Sequence, residues 1–265
     1  MIFLEWNISI IQMDIIFGDP EKNFLVVEKR IKEACEGKET DIVILPELWT
    51  TGYDLPHLAE IADNNAEKAV SFFQQAAKKY QVHIIGGSVA NKKDGGIFNT
   101  LLVINKAGEL IHTYDKLHLF KLMDEHLYLK SGSSTGLFKL ENETLAGMIC
   151  YDIRFPEWVR THTSQGAKVL FVSAEWPLVR LAHWRALLIA RAIENQCYVV
   201  ACNRSGSDPA NVFAGHSMII DPWGEIIGEA GEKSELLERT IDLAKVSEVR
   251  GMIPIFSDRK PDYYG

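Results

Sequence analysis

A strand with no polar face constrains this chain more than any other stretch. Asp41-Ile-Val-Ile-Leu-Pro-Glu-Leu48 is a short apolar run stopped by Pro46, without the alternation of a half-solvated strand. Such a strand is buried on both sides and needs covering layers. The flanking sequence supplies them. Residues 7–14 are rich in β-branched types and read as a first strand. Asp19 then offers an N-cap, with Pro20 at the first helical position. Phe24, Val27, Ile31 and Ala34 repeat at helical spacing as far as Cys35, and Gly37 ends that helix. Val70, Phe73, Ala77 and Tyr80 mark a second helix, followed by a strand over His83–Val89. The order β-α-β-α-β predicts a layered α/β protein.

The pattern then changes. Phe98–Asn105 and Glu109–Tyr114 read as a hairpin joined by the turn Asn105-Lys-Ala-Gly108, whereas Asp115–Lys130 has no clean period. A strand over 144–150, a helix over 156–165 and a buried strand Lys168–Ser173 follow. Residues 178–196 carry the strongest helix signal, with Ala182, Ala186, Ile189 and Ile193 expected on one face and Arg180, Arg185, Arg191 and Glu194 elsewhere. Strands Cys197–Asn203, His216–Asp221, Glu225–Glu229 and Leu236–Ile241 complete the set, with a Pro222-Trp-Gly224 turn. No linker, repeat or low-complexity tract interrupts the sequence, so one domain over 1–265 is expected. The tail after Ile253 shows no strand or helix pattern and is expected to extend along a partner subunit.

Composition removes several function classes. A formal charge of −8 with no basic stretch argues against nucleic acid or an anionic membrane as partner. No run of about 18 apolar residues is present, so no membrane span is expected. Glu5 and Asn7 interrupt the apolar start and no basic region precedes it, unlike a secretion signal. The four cysteines, Cys35, Cys150, Cys197 and Cys202, form no Cys-x-x-Cys pair. Neither a zinc site nor a disulfide framework is suggested, and a reducing, cytoplasmic location fits best.

Three residues carry candidate chemistry. The apolar run Leu145–Ile149 ends abruptly at Cys150, and Pro156 suits the first turn of a helix just beyond. A cysteine at a strand-to-helix corner sits where backbone N–H groups can lower a thiol pKa and stabilise an anion. Glu47 and Lys116 likewise stand at or just past the ends of apolar strands. If those strands lie side by side, a thiol nucleophile, a carboxylate base and an ammonium for a developing oxyanion share one pocket. The alternatives are a buried inert cysteine, a solvated loop carboxylate, and a surface ion pair of Lys116 with Asp115 or Asp124.

Three blocks, Leu45-Pro-Glu-Leu-Trp49, Tyr114-Asp-Lys-Leu-His-Leu-Phe120 and Gly147-Met-Ile-Cys-Tyr-Asp-Ile-Arg-Phe-Pro-Glu157, strongly resemble the signatures of the carbon–nitrogen hydrolase (nitrilase) superfamily. Thr51-Gly-Tyr53, Ser173–Pro177, Arg191-Ala-Ile-Glu-Asn195, Asn203-Arg204, Gly215-His-Ser217 and Asp221-Pro-Trp-Gly224 agree in order. The resemblance implies a four-layer αββα sandwich with two central mixed sheets. It also implies a homodimer formed through the helix near the cysteine and the 178–196 region. By position Cys150 becomes the nucleophile, Glu47 the general base, and Lys116 with the Tyr151 backbone N–H the oxyanion site. Glu125 fits a second glutamate, with Asp124 as its rival. Tyr53, Glu175 and Trp176 fall at pocket positions. No metal or organic cofactor is implied.

Cys150-Tyr-Asp-Ile followed by Arg154-Phe155 is similar to the branch of ω-amidases and deaminated-glutathione amidases. Arg154 either clamps a substrate carboxylate or pairs with Asp152 or Glu157 to order its loop. The expected activity is cysteine-dependent hydrolysis of a small carboxylate-bearing amide through a thioester, with 2-oxoglutaramate the leading substrate. Deaminated glutathione, a nitrile or an N-carbamoyl compound are alternatives served by the same trio. A catalytically silent oligomeric binding protein is the alternative outside enzymes, and it normally lacks a trio residue, whereas all three are present here.

Overall fold

The computed structural model describes residues 5–263. In chain order the elements are β1 (Glu5–Gln12), α1 (Pro20–Cys35), β2 (Ile42–Ile44), α2 (Leu58–Ile61), β3 (Asp63–Asn64), α3 (Glu67–Tyr80), β4 (His83–Lys93), β5 (Gly96–Ile104) and β6 (Leu110–Asp115). Then come α4 (Glu125–Tyr128), β7 (Leu137–Leu140), β8 (Glu143–Ile149), α5 (Pro156–Thr163), β9 (Val169–Ala174), α6 (Leu181–Asn195) and β10 (Tyr198–Asn203). The last are β11 (Met218–Ile220), β12 (Ile226–Glu229), β13 (Glu235–Asp242), α7 (Ala244–Met252) and α8 (Ile255–Asp258).

These strands form two mixed sheets. A seven-stranded sheet runs β13-β1-β2-β4-β5-β6, with β3 added on β4, and a six-stranded sheet runs β12-β11-β10-β9-β8-β7. The centres are parallel, β1-β2-β4 in one and β8-β9-β10 in the other, with antiparallel strands toward the edges. Alternation along the strands explains the layers. Ile8, Ile10, Ile42 and Ile44 face the second sheet and cluster with Met148, Leu170 and Val172. Ile11, Val43, Leu45 and Ile84 face the opposite way, onto Val27 and Ile31 of α1 and Phe73 and Ala77 of α3. On the far side of the second sheet, Val159 of α5 and Trp184 and Leu188 of α6 join its core. The result is a four-layer αββα sandwich, and the faceless run at 41–48, of which Ile42–Ile44 form β2, lies inside it.

Local signals behave as expected in the first half. The Asp19 side chain accepts from Lys22 N and caps α1, with Pro20 at its first position. The hairpin of β5 and β6 forms, while β4 and β5 run further than the apolar runs suggested and meet through Asp94-Gly95.

Two expectations need correction. The stripe Ala182, Ala186, Ile189 and Ile193 is not the core face of α6. Trp184, Leu188, Ala192 and Asn195 are buried instead, and Ile193 is 51% exposed. The helix has two apolar faces, and the one carrying Trp184 displaces more water when it packs on the sheet. Arg191, off that stripe as expected, is buried with its guanidinium held by the Ile153 carbonyl and Glu194. The tail after Ile253 is not free of helix: Pro254 precedes the single turn of α8, and a 3-10 turn covers Pro261–Tyr263. Residues 264–265 of that tail lie outside the described residues.

Candidate active site

The sheets bring four strand ends to one place. Glu47 follows β2, Lys116 follows β6, Cys150 follows β8 and Glu175 follows β9. In the second sheet Ile149 pairs with Ser173, which aligns Cys150 with the end of β9. Ser173 Oγ donates to the Leu45 carbonyl at 2.8 Å, tying that end to the strand that carries Glu47. Gly87, at φ +60°, passes so close to Pro46 that an added Cβ would lie 2.1 Å from its carbonyl oxygen. Only glycine permits that approach and the turn that aims Glu47 inward.

Lys116 is the hub. Its Nζ lies 2.7 Å from Glu47 Oε1 and 2.6 Å from Glu125 Oε1, and all three side chains are fully buried. The surface-pair alternative for Lys116 therefore fails; Asp115 binds Lys93 and Thr100 instead. Asp124, the rival carboxylate, is exposed, and Glu125 alone of the two enters the site. Burial works against the charge on Lys116, but Glu125 and Glu47 outweigh it and hold the ammonium well above its usual pKa. One ammonium between two carboxylates leaves a net negative charge, and burial next to Glu47 raises the Glu125 pKa.

Each carboxylate is fixed on several sides. Glu47 accepts from Asn99 Nδ2 at 2.8 Å and from the Glu175 backbone N–H at 2.9 Å. Glu125 accepts from the Phe120 backbone N–H at 2.8 Å and from the Tyr53 hydroxyl at 2.6 Å. Tyr53, expected to line the pocket, serves as a strut between the two glutamates, 3.1 Å from Glu47 Oε1.

Cys150 opens a 3-10 turn with φ +42°, a conformation that costs a residue with a Cβ about 1–2 kcal/mol. Asp152 holds the turn by accepting from the Ile149 backbone N–H, the Tyr114 hydroxyl and His118 Nδ1. Burial and the neighbouring carboxylates dominate the thiol's surroundings. Burial, reinforced by Glu47, pushes the Cys150 thiol well above its ordinary value, and Lys116 only partly opposes this. The resting nucleophile is a protonated thiol beside a carboxylate.

Phe120, Met123, Tyr151, Arg154, Trp176 and Arg180 wall a narrow cavity over Cys150, with Glu175 at its edge. Arg154 does not pair with Asp152 or Glu157. Its guanidinium stacks 4.6 Å from the Trp176 ring centroid, and among the described residues it forms no ion pair with a carboxylate. Trp176 is both pocket wall and core, buried against Trp184 with its indole N–H on the Arg180 carbonyl. Tyr151 packs its ring on Phe120 and Phe155. Glu175 Oε2 accepts from Arg204 Nη1 at 2.7 Å, while its Oε1 has no partner. Burial, against the pull of Arg204, pushes its pKa up to about 8.

Asn99, Asp152 and Arg204 were not anticipated as parts of this site. Asp152 and Arg204 stood in recognisable blocks, whereas Asn99 sits inside a strand with no local signal. Among the described residues no group of three His, Cys, Asp or Glu side chains is placed to hold a metal. A thiol, two carboxylates and an ammonium converging on a lined cavity can carry out acyl transfer to and from sulfur.

Comparison with known proteins identifies the fold and the family. A crystal structure of XC1258 from Xanthomonas campestris, described as a CN-hydrolase superfamily protein with an arsenic adduct in its active site, superposes with a TM-score of 0.90. That match covers 97% of this chain and 98% of the other, at 30% identity. A 2-oxoglutaramate amidase of Bacillus subtilis is 53% identical over 261 residues, covering 98% of this chain and all of the relative. Omega-amidase YafV of Escherichia coli K12 is 34% identical over 254 residues, covering 95% of this chain and 96% of the relative. The carbon-nitrogen hydrolase family model matches residues 7–251, and the chain belongs to that family of enzymes, which cleave carbon–nitrogen bonds other than peptide bonds.

Proposed function

We propose that this protein is an ω-amidase that hydrolyses the ω-amide of a 2-oxo dicarboxylic acid, with 2-oxoglutaramate preferred. The observation that carries the reading is Arg154, a guanidinium with no carboxylate of its own in the cavity that holds Cys150. A planar cation so placed suits a substrate carboxylate. The names borne by the Bacillus subtilis and Escherichia coli relatives support the same substrate class.

In this reading Cys150 Sγ attacks the amide carbon as Glu47 takes the thiol proton, since the thiol is protonated at rest. Lys116 Nζ and the Tyr151 backbone N–H meet the negative charge on the tetrahedral oxygen. The intermediate collapses, the carbon–nitrogen bond breaks, and ammonia leaves with the proton that Glu47 had taken, passed directly or by way of Glu125, so that Glu47 is again a carboxylate. A thioester remains. Glu47 then deprotonates a water that attacks the thioester, releasing the acid and the thiol. Amide and water become acid and ammonia with no external redox partner.

The same reading includes a homodimer and one domain. The outward face of α6, with Ala182, Ala186 and Ile193, offers an apolar surface for a second copy. Cys35, Cys150, Cys197 and Cys202 are all buried and unpaired, which suits a reducing, cytoplasmic compartment.

Ammonia release from 2-oxoglutaramate, succinamate, deaminated glutathione and a short aliphatic nitrile tests the proposal. Highest kcat/KM on 2-oxoglutaramate is expected, with no turnover of the nitrile. Preference for any other compound discards the substrate assignment while keeping the acyl-transfer chemistry.

A further inference from the structure

A second guanidinium stands in the same wall. Arg180 belongs to the turn before α6, where its backbone N–H bonds the Pro177 carbonyl and its own carbonyl accepts from Trp176 Nε1 at 2.9 Å. Those bonds fix its Cα beside the cavity over Cys150. The Arg180 guanidinium lies 5.7 Å from the Phe120 ring centroid and, among the described residues, forms no ion pair. Arg154 also lacks a carboxylate, and the charge on Arg180 bears unfavourably on it.

Two like charges facing one cavity, neither neutralised, are unfavourable until an anion arrives between them. A lone unpaired arginine on a surface is ordinary. A pair that packs over Trp176 and Phe120 in the wall of the cavity that also holds the nucleophile is a built feature. Stacking supports the flat faces, and apart from a 3.4 Å contact of Arg154 Nη2 with His183 Nδ1 the N–H edges are left to donate. Neither arginine pairs with the acids around the site: Asp152 holds Tyr114 and His118, Glu47 holds Lys116, and Glu175 holds Arg204 through Oε2 while its Oε1 is left without a partner.

We propose that Arg180 is the second half of the substrate clamp, so that Arg154 and Arg180 together grip the 2-oxo acid end of the amide. One guanidinium takes the carboxylate, and the other bridges a carboxylate oxygen and the neighbouring 2-oxo oxygen. A carboxylate oxygen and the neighbouring oxo oxygen of an α-oxo acid lie close enough for one fork to span, whereas beside a methylene the second guanidinium finds no such oxo acceptor. Arg180 thereby selects 2-oxo acid amides over simple ω-amides. This deepens the ω-amidase reading and rests on it.

The test compares wild type with Arg180→Gln and Arg180→Lys on 2-oxoglutaramate, succinamate and a neutral aliphatic amide of similar length. Competitive inhibition by 2-oxoglutarate is followed in parallel. Loss of a charge-assisted contact predicts that the kcat/KM ratio of 2-oxoglutaramate to the neutral amide falls about tenfold or more in Arg180→Gln. The change should lie in KM, with a matching rise in the inhibition constant, partial recovery in Arg180→Lys, and a loss on succinamate smaller than on the oxo-amide. An unchanged ratio, or equal losses on all three amides, overturns the proposal. A wild type that prefers the neutral amide instead defeats the ω-amidase reading itself. Unchanged melting temperatures identify the losses as binding effects, and inhibition reads binding without turnover.

Discussion

The Tyr53 hydroxyl lies 2.6 Å from Glu125 Oε1, where Glu125 has no exposed surface. Tyr53 has one proton to give, and Glu47 at 3.1 Å is the more distant acceptor. The pair explains how two carboxylates tolerate a single ammonium. Lys116 neutralises one charge, and the phenol spreads the other.

Tyr53→Phe removes that donor. The Tyr53 bond lowers the Glu125 pKa, so its loss raises the pKa further above the usual carboxylate value. If Glu125 works ionised, the rising limb of the kcat/KM profile moves to higher pH and activity near neutrality falls about tenfold. A profile that keeps its shape while the whole curve drops makes Tyr53 a packing residue only.

Glu175 links folding to pH. Its folded pKa, about 8, lies above the ordinary carboxylate value of 4.5. Between those values the folded state holds a proton that the unfolded state has released, so this group's contribution falls as pH rises. It is fully present below about pH 4.5 and lost by about pH 8. Glu175→Gln carries no such proton and keeps an acceptor for Arg204. Urea unfolding across that window should show the variant gaining stability relative to wild type as pH rises. A constant difference rejects the raised pKa.

Strain at the nucleophile is separable from its chemistry. Cys150 holds φ +42°, so Cys150→Ala removes the sulfur and keeps the strained Cβ, whereas Cys150→Gly removes both. Both variants should lose ammonia release while retaining the wild-type circular dichroism spectrum. The glycine variant should be the more stable by about 1 kcal/mol in urea unfolding. Equal stability means the turn around Asp152 absorbs no strain.

Much of this was legible because apolar runs mark strands and their ends. Glu47, Lys116 and Cys150 could be placed at strand ends from the sequence, and the layered order followed from helices alternating with faceless strands. Other features depend on distance across the fold. Asn99 reaches Glu47 through the register of β5, which no local pattern encodes. The thiol is raised by the desolvation of a buried corner beside Glu47, which the sequence does not display. Tyr53 was placed in the pocket, but its bonds to both glutamates emerged only from the packing.

A helix with two apolar stripes does not say which stripe meets its own sheet. Trp184, Leu188 and Ala192 meet it here, and Ala182, Ala186 and Ile193 are left outward. Ile193 touches the neighbourhood of Gly224, where Trp223 is 41% exposed, so the outward stripe continues onto the adjoining turn. An apolar surface of that kind suits a second copy of the chain. Ile193→Asp places a charge on it without entering the core. Sedimentation should show a dimer for wild type and a monomer for the variant, with an unchanged far-ultraviolet spectrum. A variant that stays dimeric assigns the interface to another face, and a monomeric wild type removes the dimer altogether.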